Sequence, residues 1–168
     1  MKRYILLLIF ISFLLSSCVT TSPYTNYPYN PYNTNNTNDN TNNNGKYLGN
    51  LSSNPFSPNS TSNKFGAGNP FNSNSVNNPF GKYGNPFSPY SAKNPYATNA
   101  PKLYDSRGNY RGKLSSNPFD PDSISNPFGK YGNKFSPDSI NNPFGAGNPF
   151  KADSPTNPFG SGWSIIGK

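Results

Sequence analysis

A three-residue motif of asparagine, then proline or lysine, then an aromatic residue recurs twelve times between residues 54 and 159. The motifs begin at Asn54, Asn63, Asn69, Asn78, Asn85, Asn94, Asn117, Asn126, Asn133, Asn142, Asn148 and Asn157, and all end in Phe except Asn94-Pro95-Tyr96. Steps of nine residues alternate with steps of six or seven, and the last six motifs copy the first six at an offset of 63 or 64. Such a period predicts a repeat architecture of two blocks, each with three double units.

The composition around these motifs limits what kind of core the chain can build. Asparagine, serine, proline and glycine dominate after the first 18 residues, and aliphatic residues are few. That profile is typical of turn-rich or disordered sequence. Phe and Tyr are the abundant large apolar residues, and each can bury about 150–250 Å². We therefore expect the aromatic rings to supply most of the core, stacking between neighbouring units.

The nine-residue step carries the local signals of a short turn. In residues 135–140, Ser136 stands at an N-cap position, Pro137 at the first helical position and Asp138 in the first turn. Asp120 occupies the capping place in the preceding unit. The next asparagine precedes proline and is biased away from helix, so each unit is expected to hold one 3₁₀ or α turn. The glycines of 129–132 and 145–147 are expected to supply positive φ.

Strand signals flank the blocks. Residues 103–112 alternate around a glycine-containing turn and predict a short β-hairpin within 101–114, and residues 163–166 favour a C-terminal strand. Only the second half of the hairpin sequence precedes the first block, at 46–49. The predicted organisation is a repeat block at 47–100, the hairpin at 101–114 and a second block at 115–168. The predicted fold class is a mostly irregular, turn-rich repeat with single helical turns and this hairpin.

Residues 110–123, with their Asn-Pro-Phe and Asp-Pro-Asp-Ser turns, resemble an uncharacterised family of bacterial exported proteins. The resemblance covers roughly residues 47–163. In this family Asn-Pro-aromatic triplets alternate with Ser-Pro-Asp-Ser turns and glycine-rich loops, and the resemblance implies no particular activity. The first block departs from the pattern, since Asn59, Asn74 and Tyr90 stand where the second block has aspartates.

The N-terminus has the layout of a secretory signal peptide at 1–17, with a helix expected at 3–17. Two basic residues precede about a dozen mostly apolar ones, too few to span a bilayer comfortably. The run ends in Leu-Ser-Ser before Cys18, the only cysteine, which resembles the lipobox of bacterial lipoproteins. That resemblance implies cleavage before Cys18 and acylation of its thiol and new amino terminus. An ordinary signal peptide and an uncleaved anchor are the alternatives.

Residues 18–46 are predicted to be a disordered tether that follows the lipid anchor. They contain Tyr, Pro and an Asn/Thr tract at 33–44 without apolar periodicity. Glycosylation or self-association are other uses of such a tract. Val19 follows the cysteine, and by resemblance to lipoprotein sorting this favours the outer membrane of a double-membraned bacterium. In a host with one membrane the chain would lie on the outer cell surface.

The charge is basic but dispersed. Fourteen Lys and Arg stand against six Asp in the whole chain, giving a formal net charge of +8. Nucleic-acid binders concentrate such charge into a patch, so no nucleic-acid partner is expected. Scattered lysines favour solubility, with weak attraction to anionic envelope polymers as the alternative. The predicted partners are the membrane, through the lipid, and an envelope polymer or surface protein; the sequence leaves the oligomeric state open.

The residue types for catalysis are scarce. After Cys18 the chain has no His, Glu or further Cys, and general acid–base chemistry usually draws on such groups. The sequence therefore predicts a non-enzymatic protein without a cofactor other than the covalent lipid.

Two binding hypotheses follow from the second block. Asp120, Asp122, Asp138 and Asp153 recur at matching places and offer oxygen ligands for Ca²⁺, although aspartates also cap their own turns. The candidate partner-binding aromatics, including those for a glycan, are Phe119, Phe128, Phe144, Phe150, Phe159 and Trp163. Asn-Pro-Phe triplets also resemble the short ligands of eukaryotic EH domains. The alternative is structural, in which asparagine starts a turn, proline fixes it and the ring packs.

Overall fold

The computed structural model describes residues 45–168, and its ordered strands form one small sheet. Strand β1 spans Lys46–Leu51, β2 Lys102–Tyr104, β3 Tyr110–Lys113 and β4 Trp163–Gly167. All pairings are antiparallel and the strand order is β1-β4-β2-β3. No helix occurs within these residues. The expected signal helix at 3–17, the lipidated Cys18 and the tether at 18–46 up to residue 44 lie outside the described residues.

The predicted hairpin and C-terminal strand are confirmed. In the hairpin, Lys102 lies opposite Lys113 and Tyr104 opposite Tyr110. The turn is closed by the Asp105 amide, which donates to Asn109 O at 3.0 Å, and Gly108 adopts a φ of +79°. This conformation is unfavourable for any residue with a Cβ, so the glycine here has a backbone reason. The C-terminal strand lies in the middle of the sheet, between β1 and β2.

The blocks themselves are continuous chains of β-turns that share their end residues. Ser123 N donates to Asp120 O, Asn126 N to Ser123 O, and Gly129 N to Asn126 O, at 3.0–3.2 Å. The same bonding continues at three-residue steps to Gly160, with one four-residue step. In the first block it runs from 57 to 91, also with one four-residue step, and occurs again at 94–97. Asparagine at the first turn position, proline at the second and glycine at the fourth are the preferences of type I turns. The aromatic third residue has negative φ, which excludes type II.

The expected helical turns are therefore not confirmed. A 3₁₀ or α helix needs overlapping hydrogen bonds from successive residues, whereas here each turn begins where the previous one ends, except at the four-residue steps from Gly81 and Gly129. The capping side chains predicted at Ser136 and Asp120 do bind backbone amides, at Asp138 N (3.3 Å) and Asp122 N (2.9 Å). They cap β-turns rather than helices.

The expectation of positive φ in the glycine-rich loops is also wrong. The positive-φ glycines among residues 45–168 are Gly45, Gly49, Gly108, Gly112 and Gly162, and none lies in 129–132 or 145–147. In those loops the chain passes close to backbone carbonyls. A Cβ on Gly132 would collide with Asn126 O, and one on Gly147 would collide with Ile140 O. Glycine is needed there for close approach of two backbone segments.

The inside of each block is polar. Six serines at equivalent places, Ser60, Ser75, Ser91, Ser123, Ser139 and Ser154, are at most 1% exposed. The Ser123 hydroxyl donates to Ser115 O at 2.9 Å and accepts from Ser125 N at 3.0 Å. A buried hydroxyl without partners would cost about 1–3 kcal/mol, and small bonded side chains avoid that cost. Within 45–168 every buried side-chain nitrogen and oxygen has a hydrogen-bond partner.

The apolar core lies at the sheet and contains no phenylalanine. It consists of Leu48, Val76, Tyr83, Leu103, Trp163 and Ile165. Leu103 and Ile165 face each other across β2 and β4 and are fully buried. Full burial of such side chains stabilises the fold by about 1.5–3 kcal/mol each. The expectation that the triplet rings form the core is wrong, because the third turn position points away from the chain's interior.

The sheet joins the two blocks in a pseudo-two-fold arrangement. Strand β1 stands at the start of the first block and β3 at the start of the second, 63 residues later; we call these the leading strands. Strand β2 follows the turns of the first block and β4 those of the second, and we call these the closing strands. The leading strand of each block pairs with the closing strand of the other, and the closing strands pair centrally. Gly49 and Gly112, also 63 apart, both have positive φ where these pairings shift register. The sequence duplication therefore reappears as symmetry in space.

Candidate functional site

The aromatic residues that end the twelve triplets are exposed without exception. Their exposed fractions run from 78% to 97%, for Phe56, Phe65, Phe71, Phe80, Phe87, Tyr96, Phe119, Phe128, Phe135, Phe144, Phe150 and Phe159. We call this set the aromatic array. Single exposed apolar residues are ordinary in soluble proteins. Twelve rings at equivalent places in a repeat are not isolated exceptions.

Local hydrogen bonds explain why each ring points outward. In residues 126–128 the asparagine Oδ1 accepts the Phe128 amide at 2.9 Å, so the side chain closes a second turn inside the β-turn. The same bond is found in the other triplets, for example at Phe71 (2.8 Å) and Phe150 (2.8 Å). Proline fixes the second position near its preferred φ. The ring at the third position is then held clear of the hydrogen-bonded backbone.

The two triplets of a double unit differ in one contact. The second asparagine also donates from Nδ2 to the carbonyl six residues earlier, as Asn126 does to Asp120 O (3.1 Å) and Asn142 to Ser136 O (3.0 Å). This bond closes the nine-residue step onto itself. The first asparagine of each unit in the second block, such as Asn133, uses only its Oδ1. Successive rings of either kind are separated by 15 or 16 residues.

No ring of the array pairs with another aromatic ring among the described contacts, and one ring has a lysine close to its face. The described aromatic pairs, Tyr104–Tyr110 and Tyr110–Tyr131, lie at the hairpin and do not involve the array. Lys134 Nζ lies 5.1 Å from the Phe135 ring centroid. Residues 45–168 contain twelve Lys and Arg and five Asp. The described part of the chain therefore carries an excess of positive over negative side chains.

The structure does not bring the four candidate calcium ligands together. Asp120 accepts from Lys113 Nζ at 3.0 Å, and Asp122 lies 3.9 Å from the same nitrogen. Asp138 pairs with Arg111 Nη1 at 2.8 Å and with Lys130 Nζ at 3.3 Å. In the part of the chain described, no three carboxylate, His or Cys side chains are grouped as a metal ion would require. These carboxylates are neutralised by cations of the fold.

Asp153 is placed differently from the other three. Its Oδ2 accepts from the Ser106 hydroxyl at 3.1 Å, and it forms no salt bridge with any residue of 45–168. Ser106 belongs to the hairpin turn, so this bond links the hairpin to the second block. Trp163, predicted as a partner-binding aromatic, is only 2% exposed and lies in the core, with the Arg111 guanidinium 5.8 Å from its ring centroid. Its ring is not part of the array.

One important charged residue, Asp105, was not singled out from the sequence. Its side chain is 1% exposed and accepts from Arg111 Nη2 at 2.8 Å and from Asn109 Nδ2 at 3.0 Å. Burial acts to raise the pKa of Asp105, but hydrogen bonds from Asn109, Arg111 and the Arg107 amide outweigh it and hold the pKa below its ordinary value. The sequence feature that indicates this role is an aspartate at the start of a hairpin turn, where its side chain accepts hydrogen bonds from nearby amides.

Burial also perturbs tyrosines beside the sheet. It raises the pKa of Tyr47 to about 12, and the Tyr47 hydroxyl donates to Asn50 Oδ1 at 2.7 Å. Burial, with the neighbouring Asp122 charge, raises the pKa of Tyr110 further. These hydroxyls stay protonated at neutral pH and act as hydrogen-bond donors.

No family model, no curated protein and no solved structure matches this chain. Across residues 45–168 there is no helix of the length and apolar character that a bilayer crossing demands.

Proposed function

We propose that this chain is a non-enzymatic, lipid-anchored protein of the bacterial cell envelope whose repeat module makes adhesive contacts through the aromatic array. The observation that carries the proposal is the exposure of twelve triplet rings, 78–97%, on hydrogen-bonded turns. A ring that becomes buried against a partner gains about 1.5–3 kcal/mol. Several such weak contacts at once give an avidity far above that of one ring.

The anchor and the location are supported by the sequence at Cys18. The lipobox-like residues 15–18 favour acylation, and Val19 favours the outer membrane. Two or more acyl chains hold a protein stably on a bilayer, whereas one chain binds marginally. A tether at 18–46 would hold the array away from the lipid headgroups, within reach of envelope polymers or surface proteins.

The array is tested by co-sedimentation of the full chain with purified envelope material. Changing the six second-block Phe residues to Ser is expected to reduce the bound fraction several-fold. The matched control changes the same positions to Tyr, which the chain already uses at Tyr96, and is expected to bind as the original chain does. Since exposed substitutions usually change stability by less than about 0.5 kcal/mol, both variants are expected to fold. Equal binding by the Ser variant and the original chain would refute the adhesive role.

The anchor is tested separately by Cys18→Ser. This variant is expected to lose metabolic labelling with a fatty acid and to leave the membrane fraction. Intact-mass measurement of the original protein should show cleavage before Cys18 and an added diacylglycerol mass. Retention of the variant in membranes, without label, would refute the lipid anchor while leaving the array untouched.

A glycan is the second candidate partner, because exposed aromatic rings beside hydrogen-bonding groups suit stacking on sugars. Competition with soluble envelope oligosaccharides in the same co-sedimentation assay distinguishes a glycan partner from a surface protein. Calcium is disfavoured at Asp120, Asp122 and Asp138, whose oxygens already contact Lys or Arg. Calorimetric titration with CaCl₂ is therefore expected to give no binding heat at these residues.

A further inference from the structure

The internal duplication allows each position of one half to be compared with its counterpart in the other. An offset of 63 relates Leu48 to Arg111 and Tyr90 to Asp153. Between equivalent asparagines, the loop Gly81-Lys82-Tyr83-Gly84 of the first block corresponds to Gly145-Ala146-Gly147 of the second. At three places the first half therefore has a large apolar or aromatic residue, while the second half has a charged or small one.

In the first half these three residues fill space. Leu48 is 4% exposed and Tyr83 3%, and both belong to the apolar core. The Tyr83 hydroxyl donates to Lys168 O at 3.0 Å. Tyr90 packs against the same core, and Lys82 Nζ lies 4.1 Å from its ring centroid. This side of the sheet is closed by aromatic side chains.

In the second half the counterparts leave a cavity of about 300 Å³. Ala146 lines it, together with Arg107, Arg111, Asp138, Lys151, Asp153 and Trp163. That volume lies at the lower end of the range for small-molecule sites, about 300–1,000 Å³. The departures from internal symmetry thus replace a filled apolar region by an open, charged one.

The charges around this cavity divide into satisfied and available groups. Arg111 is held by Asp105 and Asp138, each at 2.8 Å. Arg107 is 75% exposed and its one carboxylate neighbour in the described chain is 3.9 Å away. Lys151 Nζ donates to Gly145 O at 2.9 Å, and one carbonyl leaves two of its three donor hydrogens for a ligand. Asp153 accepts a hydroxyl but has no cation partner among residues 45–168.

We propose that this cavity binds a small zwitterion of the amino-acid class. Its carboxylate faces Arg107 and Lys151, which can donate charge-assisted hydrogen bonds, and its ammonium group faces Asp153. The cavity suits a single amino acid or a dipeptide in size. This site is independent of the aromatic array, so its test and that of the proposed function can fail separately.

The test is calorimetric titration of the purified full chain with blocked and unblocked probes. L-alanine and L-alanyl-L-alanine carry both charges, whereas N-acetyl-L-alanine lacks the ammonium and L-alanine amide lacks the carboxylate. We expect at least one zwitterion to bind, at least about tenfold more tightly than either blocked alanine. Asp153→Asn is expected to weaken that zwitterion about tenfold or more.

Two further variants make the result specific. Asp122→Asn removes the same charge from the equivalent turn position outside the cavity, and it is expected to leave binding unchanged. Ala146→Tyr restores the first-half residue and is expected to abolish binding, with the fold checked by thermal unfolding. Absence of binding by both zwitterions, equal binding of the blocked probes, or unchanged affinity in Asp153→Asn would overturn the proposal.

Discussion

Replacing Asn126 by alanine removes two hydrogen bonds from a residue that is 8% exposed. Its Oδ1 no longer accepts the Phe128 amide (2.9 Å), and its Nδ2 no longer donates to Asp120 O (3.1 Å). A typical intramolecular hydrogen bond contributes about 1 kcal/mol net. The expected loss in the free energy of unfolding is therefore about 2 kcal/mol. Asn133→Ala removes only the bond to the Phe135 amide (2.9 Å), and about 1 kcal/mol is expected.

The pair is compared by urea denaturation of the full chain, from the midpoint and the slope of each curve. Each variant keeps the second residue of its triplet, Pro127 or Lys134, and the exposed ring, so each serves as the control for the other. If the bond from Nδ2 closes the nine-residue step, Asn126→Ala must unfold at the lower urea concentration with an unchanged slope. Equal midpoints, or a lower midpoint for Asn133→Ala, would show that this bond does not stabilise the repeat.

Three other outcomes follow from the sheet and the hairpin. In thermal unfolding, Gly112→Ala should destabilise the fold by several kcal/mol, because its φ is +92° and a Cβ would meet the Tyr131 ring. Gly108→Ala should cost about 1–2 kcal/mol, because its φ is +79° but a Cβ would meet open space. Acidification should destabilise the protein as the pH falls below 3.8, the ordinary pKa of an aspartate, because the pKa of Asp105 is lowered in the folded state. The fall in unfolding free energy with decreasing pH should be smaller in Asp105→Asn. Between pH 10 and about 12 stability should fall, because the raised pKa of Tyr47 favours the folded state only while the phenol is protonated, and Tyr47→Phe should reduce this loss.

The repeat and its strands were predictable because their signals are local. The alternation at 103–112 and the apolar run at 163–166 gave the hairpin and the last strand, which the structure confirms. The offset of 63 or 64 between the triplets defined the two blocks. Each of these features needs only neighbouring residues or a direct comparison of the sequence with itself. The strand order needed more, since no local pattern indicates that β4 lies between β1 and β2.

The location of the core was mispredicted because the period of the chain is three. In a chain of end-sharing turns most of the shared residues point inward, and serine, asparagine and glycine take nearly all of these places; Lys151, which is exposed, is an exception. Periods of two and 3.6 identify apolar strand and helix faces, but neither describes this arrangement. The sequence favours the interior for the rings because they are the abundant large apolar residues. The turn geometry places the rings outside, and the interior of each block consists mainly of small polar residues joined by hydrogen bonds.

The sequence predicts the residues of the candidate site only in part, because some of their surroundings depend on tertiary contacts. The sequence predicts five candidate aromatics that are all exposed in the structure: Phe119, Phe128, Phe144, Phe150 and Phe159. Trp163 differs because it belongs to β4 rather than to a triplet. The pairing of Asp120 and Asp138 with Lys113 and Arg111 depends on β3 lying beside the second block, which is a tertiary contact. Spacing along the chain could not reveal those cations.

The central position of β4 has a consequence for the whole module. Its five residues, 163–167, pair with β1 on one side and with β2 on the other, and all five are buried. Neither block can complete the sheet alone, because each leading strand pairs with the closing strand of the other block. Four of the six core residues lie on these strands, and Val76 and Tyr83 of the first block pack against them, whereas the rest of the blocks holds mainly hydrogen bonds that contribute about 1 kcal/mol each. The two halves therefore depend on one sheet for stability, and the array and the charged cavity are both supported by the last residues of the chain.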